Sequence, residues 1–441
     1  MSPEERKING RASATRRWTL RATGAALASS AAIAPAAAAD ACPFITTNDN
    51  DESDDEAESS GGSGGGNGSS DDDSSGATDD DADDNDDDES EPESSGQSDG
   101  VAFDAEEIDV TAHGVDNSGN SSVTSAIQSL AQDNRILYFP DGEYYFDSAI
   151  RFVGFQNFGL IAADGARFVP AQASQYDAPG QSVNVFTLGV PNSPGTNLHV
   201  ENLTFDFTAN ETGVRGLHAS ISDGLVVRDV DVIGTHDTGA PGPLNTDIVS
   251  SGGSGVVENL SLPDGGVHVD HTSTSLHSAG AGPSGLNVSA HHTGSLTVRN
   301  AEINGFPDNG LYAATRDGTV TVEGGTFRNN NVASVRLMGQ GSSVSGARIV
   351  VDNGRNGFGA QRAIRLNKGQ NLEVRNVDVE VTSSVHDAIR VMPETDSATI
   401  DNVSMSIPAA NWGVTVTSGA SNVDIGSLDV SGANRGAEYW Y

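Results

Sequence analysis

The sequence predicts a right-handed parallel β-helix, a single chain wound into a three-sheet solenoid with an N-terminal capping helix, from about residue 101 to the C-terminus. Three observations predict it. A unit of strand, single turn residue and strand recurs along the chain; successive units stand mostly 24 to 30 residues apart, about one solenoid coil; and a third family of strands precedes the units.

The recurring units are LHVENLTFDF, LVVRDVDVIG, VVENLSLPDG, LTVRNAEING, LEVRNVDVEV, ATIDNVSMSI and VDIGSLDVSG. Apolar residues alternate on both sides of the turn residue, so the period is two and the elements are strands. The turn residues are Asn202, Asp229, Asn259, Asn300, Asn376, Asn402 and Gly426. These types tolerate a left-handed backbone, and a stacked asparagine can hydrogen-bond the coils above and below it. Antiparallel hairpins would need two-residue turn signals between neighbouring strands, and those are missing.

The third family reads GLHASI, TDIVSS, GLNVSA, GLYAAT, SVRLMG, AIRLNK, AIRVMP and GVTVTS. Alternation turns Leu217/Ala219, Leu311/Ala313, Val335/Leu337, Ile364/Leu366, Ile389/Val391 and Val414/Val416 inward. The outward face then carries His218, Asp247, Asn287, Tyr312, Arg336, Arg365, Arg390 and Thr415, coil by coil.

Before these strands, SSVTSAIQSLAQDN places Val123, Ile127 and Leu130 on one helical stripe, and RILYFPDGEYYF gives two apolar strands around a Pro-Asp-Gly turn. A helix over the first coil covers the open end of the solenoid, where an unpaired edge invites aggregation. The cap spans about residues 105–150.

The segment DVTAHGVDNSGNSSVTSAIQSLAQDNRILYFPDGEYYF resembles the opening of the pectate-lyase-like β-helix superfamily, and with the asparagine turns the resemblance covers most of residues 105–441. It implies the fold and a substrate groove along the third strand family. It does not imply one reaction, because the superfamily holds polysaccharide lyases, polygalacturonase-like hydrolases, epimerases, phage tailspikes and non-catalytic surface proteins. The groove floor would be the row from His218 to Arg390, about 29 Å long at about 4.8 Å per coil.

Within that groove, Arg336, Arg365 and Arg390 present planar forks that suit the carboxylates or sulfates of an acidic glycan. The opposing reading pairs them with Asp352, Asp387 or Glu394. Five of the ten histidines, His268, His271, His277, His291 and His292, crowd a coil whose loop, PDGGVHVDHTSTSLHSAGAGPSG, is unusually long. His271 or His292 suits a general base, while His268, Asp270 and His271 alone make a strained metal site. His236-Asp237 and His386-Asp387 are adjacent pairs that a strand would point apart. Asn245-Thr246-Asp247 resembles the first acidic motif of polygalacturonases, without its glycine, the later Asp-Asp pair or the Gly-His-Gly step. A hydrolase needs two placed carboxylates, and a calcium-dependent lyase needs clustered acids on the groove. Neither is evident, so calcium and any other metal or cofactor stay unassigned.

Two functions remain. One is an extracellular lyase or epimerase on acidic glycans, with Arg336 or Arg365 neutralising a uronate and His271, His292 or Tyr312 moving the proton; His218, Asp247, Asn287 and Arg390 would bind substrate. The other is a non-catalytic cell-surface or glycan-binding β-helix.

The rest of the chain concerns address and solvent. Arg16-Arg17 before the Ala-rich run, with small residues near Ala39, resembles a twin-arginine signal over residues 1–39, which implies export. No later stretch is apolar over about 18 residues, so no spanning helix is expected in the mature chain. Residues 40–100 hold 23 Asp or Glu and no Lys or Arg among Gly and Ser, which predicts a disordered acidic linker. Cys42 is the one cysteine, which excludes an intrachain disulfide; its position suggests a lipid anchor, although Ala39 and Asp40 depart from the lipoprotein pattern.

Overall, 62 acidic residues stand against 23 basic ones, and only Lys7 and Lys368 are lysines. That balance excludes a nucleic-acid partner, which needs a basic face, and fits a surface kept hydrated in concentrated salt. Removing salt should therefore abolish the β-type circular dichroism, because about twenty net negative charges on the folded part then repel over tens of ångströms. A spectrum and melting temperature unchanged in dilute buffer would refute the halophilic reading.

Overall fold

The computed structural model describes residues 103–441 apart from 177–182, 273–281, 316, 355–356, 384, 434 and the side chain of 385. The expected signal segment, the linker and Cys42 lie outside the described residues, as does His277.

Asparagine at the corners sets the winding. Asn202, Asp229, Asn259, Asn300, Asn376 and Asn402 all take a left-handed backbone, with φ between 51° and 62°. Their side chains link coils: Asn259 Nδ2 donates to Asp229 Oδ1 at 2.8 Å, and Asn402 Nδ2 to Asn376 Oδ1 at 2.6 Å. Gly426 departs from the expected pattern. Its φ is not positive, and what it supplies is a close approach, since a Cβ there would lie 2.3 Å from Asp401 Oδ1. A second column at the next corner, Asn134, Asn157 and Asn197, has φ of 56°, 55° and 55° and is joined by two side-chain bonds of 2.7 Å.

Between corners the strands of the described residues fall into three sheets of 12, 12 and 11, and neighbouring strands in each sheet pair in parallel with the coil before and the coil after. The first sheet runs from Glu106–Asp109 to Val423–Ile425, the second from Ser118–Ser122 to Leu428–Ser431, and the third from Ile150–Phe152 to Gly436–Trp440. This is the expected three-sheet solenoid, a right-handed parallel β-helix of about 12 coils. Each recurring unit contributes one strand to the first sheet and one to the second, and the third strand family forms the third sheet. Two coils escaped the motif because glycine replaces asparagine at their corners: Gly324 and Gly346, with φ of 69° and 67°.

Inward residues stack in columns. Val227, Val257, Val298, Val322, Val344, Val374 and Ile400 follow one another in register, each 1% exposed or less. β-Branched side chains pack well on such a pleated surface. The first coils carry rings instead: Phe139, Tyr144, Phe146, Phe168, Phe186 and Phe205 meet at centroid distances from 4.9 to 6.3 Å.

The cap is the helix Thr124–Leu130, with Val123 and Ile127 each 1% exposed and Leu130 packed against the same core. It flanks the first strand of the third sheet, where Gln128 imitates a neighbouring strand. Its Nε2 donates to the Arg151 carbonyl at 3.0 Å, and its Oε1 accepts from the Arg151 amide at 2.9 Å. Because these bonds are solvent-exposed, Gln128→Ala should lower unfolding stability by only about 1 kcal/mol. Ile127→Ala, which empties core volume, should cost about 2 to 5 kcal/mol. Denaturant titration of both variants checks the order, and a larger loss for Gln128→Ala would contradict this account of the cap.

Candidate functional site

The third sheet's outer face is built by register. Its central row reads Arg151, Thr187, His218, Asn245, Asn287, Tyr312, Arg336, Arg365, Arg390, Thr415 and Tyr439. The inward pairs expected from alternation are all 1% exposed or less. One step differs from expectation: Asn245, not Asp247, stands beside His218 and Asn287, while Asp247 pairs with Ser220. Residues 245 and 247 share a face, so alternation cannot choose between them. Alignment of Leu244 with Leu217 and Leu286 in the core decides it.

Arg336 and Arg365 are 8% and 5% exposed, and the Arg390 side chain 12%. The Arg336 guanidinium lies 4.7 Å above the centre of the Tyr312 ring, and its buried Nε makes no hydrogen bond. A cation over an aromatic face is held by the ring quadrupole, which leaves the in-plane donors for another acceptor. Arg390 is paired: its Nε and that of Arg362 each reach one oxygen of Asp387 at 2.6 Å, and its Nη2 approaches His386 Nδ1 at 3.0 Å. Asp387 is fully buried. Burial pushes its carboxyl up, but the His386 contact and the two guanidinium charges outweigh that and hold it well below the usual range. Asp352 and Glu394, the other acids considered as partners, pair elsewhere, with Arg328 and Lys368.

Asp308, which sequence reasoning passed over, opens the strand Asn309–Ala313. One of its oxygens accepts from Ser284 Oγ and Asn309 Nδ2, both at 2.7 Å. Burial raises its carboxyl above the usual range against the pull of Ser284 and of the Arg336 charge. The available signal was its place, immediately before a strand of the third family in PDNG.

The histidines separate. His292 is fully buried; its Nδ1 accepts from the Ile248 amide at 3.0 Å and its Nε2 donates to the Thr319 carbonyl at 3.1 Å. Both nitrogens are spent bracing the third sheet against the first, and burial lowers its pKa, so the ring stays neutral. The general-base role expected for His292 is therefore withdrawn. His218 is pushed down to about 3, first by burial and then by Arg215, Arg151 and His291. His271 lies in the long loop on the short turn Val269–His271, its ring 5.9 Å from that of His268. Asp247 is wrapped by Ser289 N, Ser289 Oγ and Asn245 Nδ2 at 2.7, 2.9 and 2.9 Å, and burial raises its carboxyl. Asn287 extends that chain through its amide to Asn245. In the pair His236-Asp237, the ring donates to Pro241 O while the carboxylate accepts from Glu211 N and Gly213 N, so the two do not act as a dyad. Among the described residues no group of three metal-ligating side chains converges, and no helix is long and apolar enough to cross a membrane.

The row and its coils define the class, a parallel β-helix with a cationic strip on one sheet. No protein-family model matches this chain, and no curated protein does. Solved structures do match. The surface protein and adhesin PfbA of Streptococcus pneumoniae aligns with TM-score 0.52 at 10% identity, over 76% of this chain and 100% of that one. The A-module of the mannuronan C-5 epimerase AlgE4 of Azotobacter vinelandii aligns with TM-score 0.52 at 13% identity, over 76% and 98%. The A-module of AlgE6 from the same organism gives 0.52 at 14%, over 76% and 96%. At these identities the likeness is one of fold.

Asp387 is the support of this strip. Asp387→Ala leaves Arg362 and Arg390 without their shared counter-charge and should lower stability by about 3 to 5 kcal/mol. Because the folded pKa lies below the unfolded value of about 3.9, the carboxylate's contribution is present above that pH and lost as pH falls through the folded pKa. Unfolding of wild type and Asp387→Asn between about pH 2 and 7 checks this, since the wild-type advantage should shrink in acid. A difference independent of pH would contradict the ion-pair account.

Proposed function

We propose that this protein binds an acidic polysaccharide along the outer face of the third sheet and acts on it as a lyase or epimerase around Tyr312 and Arg336. The observation that carries the reading is the row Arg336, Arg365 and Arg390. Three guanidinium groups stack on successive coils, about 4.8 Å apart, and are nearly buried in a chain otherwise dominated by acid. Stacked like charges repel, and a bound carboxylate or sulfate relieves that repulsion while meeting forked donors.

Elimination and epimerisation begin with the same step. The uronate carboxylate is neutralised, a base removes the proton on the adjacent carbon, and the electron pair moves into the carboxylate. Arg336 and Arg365 supply the neutralising charge; Tyr312, under the Arg336 cation, and Asp308, whose carboxyl feels the charge of both arginines, are the proton-transfer groups. If the pair then expels the neighbouring glycosidic oxygen, an unsaturated sugar results. If the carbon is reprotonated from its other face, the sugar is inverted. His218, Asn287, Asp247 and Arg390 serve as groove floor, and His271 in the long loop is the second candidate base. Two fold neighbours are named as mannuronan epimerases, which supports this class, and the twin-arginine-type segment with its acidic linker supports work outside the cell. Cys42 offers a lipid attachment there.

A second reading, a non-catalytic surface binder of the same glycan, is favoured by the sequestered nitrogens of His292 and the fully bonded Asp247. Incubation in concentrated salt with a panel of polyuronates separates the two. Absorbance of unsaturated products selects a lyase, and uptake of solvent deuterium at the epimerised carbon selects an epimerase. Binding without either selects the second reading.

Arg365→Ala should weaken polyuronate binding by about 1.5 to 3 kcal/mol, the range for a hydrogen bond to a charged partner, with the fold intact. Arg365→Lys should rescue poorly, because an ammonium lacks the planar fork. Calorimetric titration beside thermal unfolding tests this; normal binding with only a lowered melting temperature would end the case for the row.

A further inference from the structure

We infer that the outer row carries a second kind of subsite, an aromatic platform of Trp412, Tyr439 and Tyr441 that stacks on the face of a sugar ring in the chain held by the arginines. This rests on the polysaccharide reading of the third sheet and extends it to a defined contact.

The exposed large hydrophobic residues of the described structure are Tyr439, Trp440 and Tyr441, at 40%, 52% and 46% exposure. They adjoin in sequence but play different parts. Trp440 pairs with Val416, which pairs with Val391; both valines sit in the core, so Trp440 continues an inward column. Tyr439 pairs with Thr415, which pairs with Arg390, so it continues the outward row two coils beyond the last arginine, about 10 Å away.

Glycine makes the platform possible. Trp412 pairs with Gly436, where a Cβ would come 2.7 Å from the indole ring, so only the missing side chain lets the ring lean onto the next coil. There it stacks on Tyr439 with centroids 4.7 Å apart and planes at 21°, and Tyr441 follows at 5.2 Å and 35°. On its other side Trp412 pairs with Asp387, the carboxylate shared by Arg362 and Arg390, so the rings adjoin the cationic strip.

Aromatic faces carry negative potential and the C–H groups on a pyranose face carry slight positive potential, so the two stack. Such a contact reads the ring and not its charge. It also persists in concentrated salt, which screens ionic contacts to within about 3 Å. The arginines thus select acidic sugars, and the platform adds affinity that salt does not remove.

The test compares wild type, Tyr439→Ala, Tyr439→Phe and Arg365→Ala by calorimetric titration with polygalacturonate and with the neutral oligosaccharide cellohexaose, at two salt concentrations, the lower of which still retains the β-type circular dichroism. Tyr439→Ala should weaken both ligands about three- to tenfold at either salt concentration with an unchanged melting temperature. Tyr439→Phe should bind as wild type, and Arg365→Ala should weaken polygalacturonate alone. If Tyr439→Ala binds both ligands normally while Arg365→Ala loses polygalacturonate, the platform is overturned and the acidic-glycan reading stands. Tyr439-dependent binding of cellohexaose with no binding of polygalacturonate keeps the platform and overturns that reading. Binding of neither overturns both. A wild-type dimer in sedimentation that Tyr439→Ala dissociates would assign the rings to a second copy of the chain and overturn the subsite.

Discussion

Register between coils is the constraint on which this structure depends. Each strand must lie opposite its counterpart one coil away, so every coil has to turn its corners without sliding by even one residue; a slip would exchange the inward and outward faces. The left-handed asparagines do this twice over. Their backbone bends the chain sharply, and their amides bond the equivalent position in the next coil, as between Asp229 and Asn259. Length variation is confined to the loops, so the long segment after Leu262 leaves Leu286 aligned with Leu244.

The same register creates the electrostatic difficulty of the third sheet. A parallel solenoid stacks like positions on like positions, and here it stacks arginine on arginine. Near-burial makes the arrangement harder, since partly desolvated charges are screened less. The molecule meets this unevenly. Asp387 serves two guanidinium groups at one end, while Arg336 at the other rests on the Tyr312 ring and keeps an unbonded Nε. The unequal treatment is what gives the strip a direction, from a satisfied end toward an unsatisfied one.

Fold was legible because its signals are local. Asn202 or Asn402 announces a corner by residue type alone, and alternation assigns Ile364 and Leu366 to the core without knowledge of any neighbour. The coils turned by Gly324 and Gly346 were harder to see, since glycine marks many kinds of turn. The site was less legible because its facts are relations between coils. Whether Asn245 or Asp247 stands in the row depends on Leu217 and Leu286, far away in sequence. The fate of His292 depends on Ile248 and Thr319, and the environment of Asp308 on Ser284 and Arg336. Asp387 and Arg390 were nameable as partners; that Arg362 shares the same carboxylate was not.

Large rings crowd the core of the first coils and recur at Phe306 and Phe327, whereas Val423, Ile425, Leu428 and Val430 in the last coil are only partly buried. In a solenoid each coil is stabilised only by its neighbours, so such a gradient makes opening free energies unequal along the axis. Fraying then starts from the coils that bear Trp412 and Tyr439 and meets rising resistance toward the aromatic end. A polysaccharide bound along the outer row, as proposed, would cross those boundaries at right angles, as a splint does, and would tie loosely anchored coils to firmly anchored ones. Such binding and the mechanical integrity of the last coils would in this way be a single equilibrium.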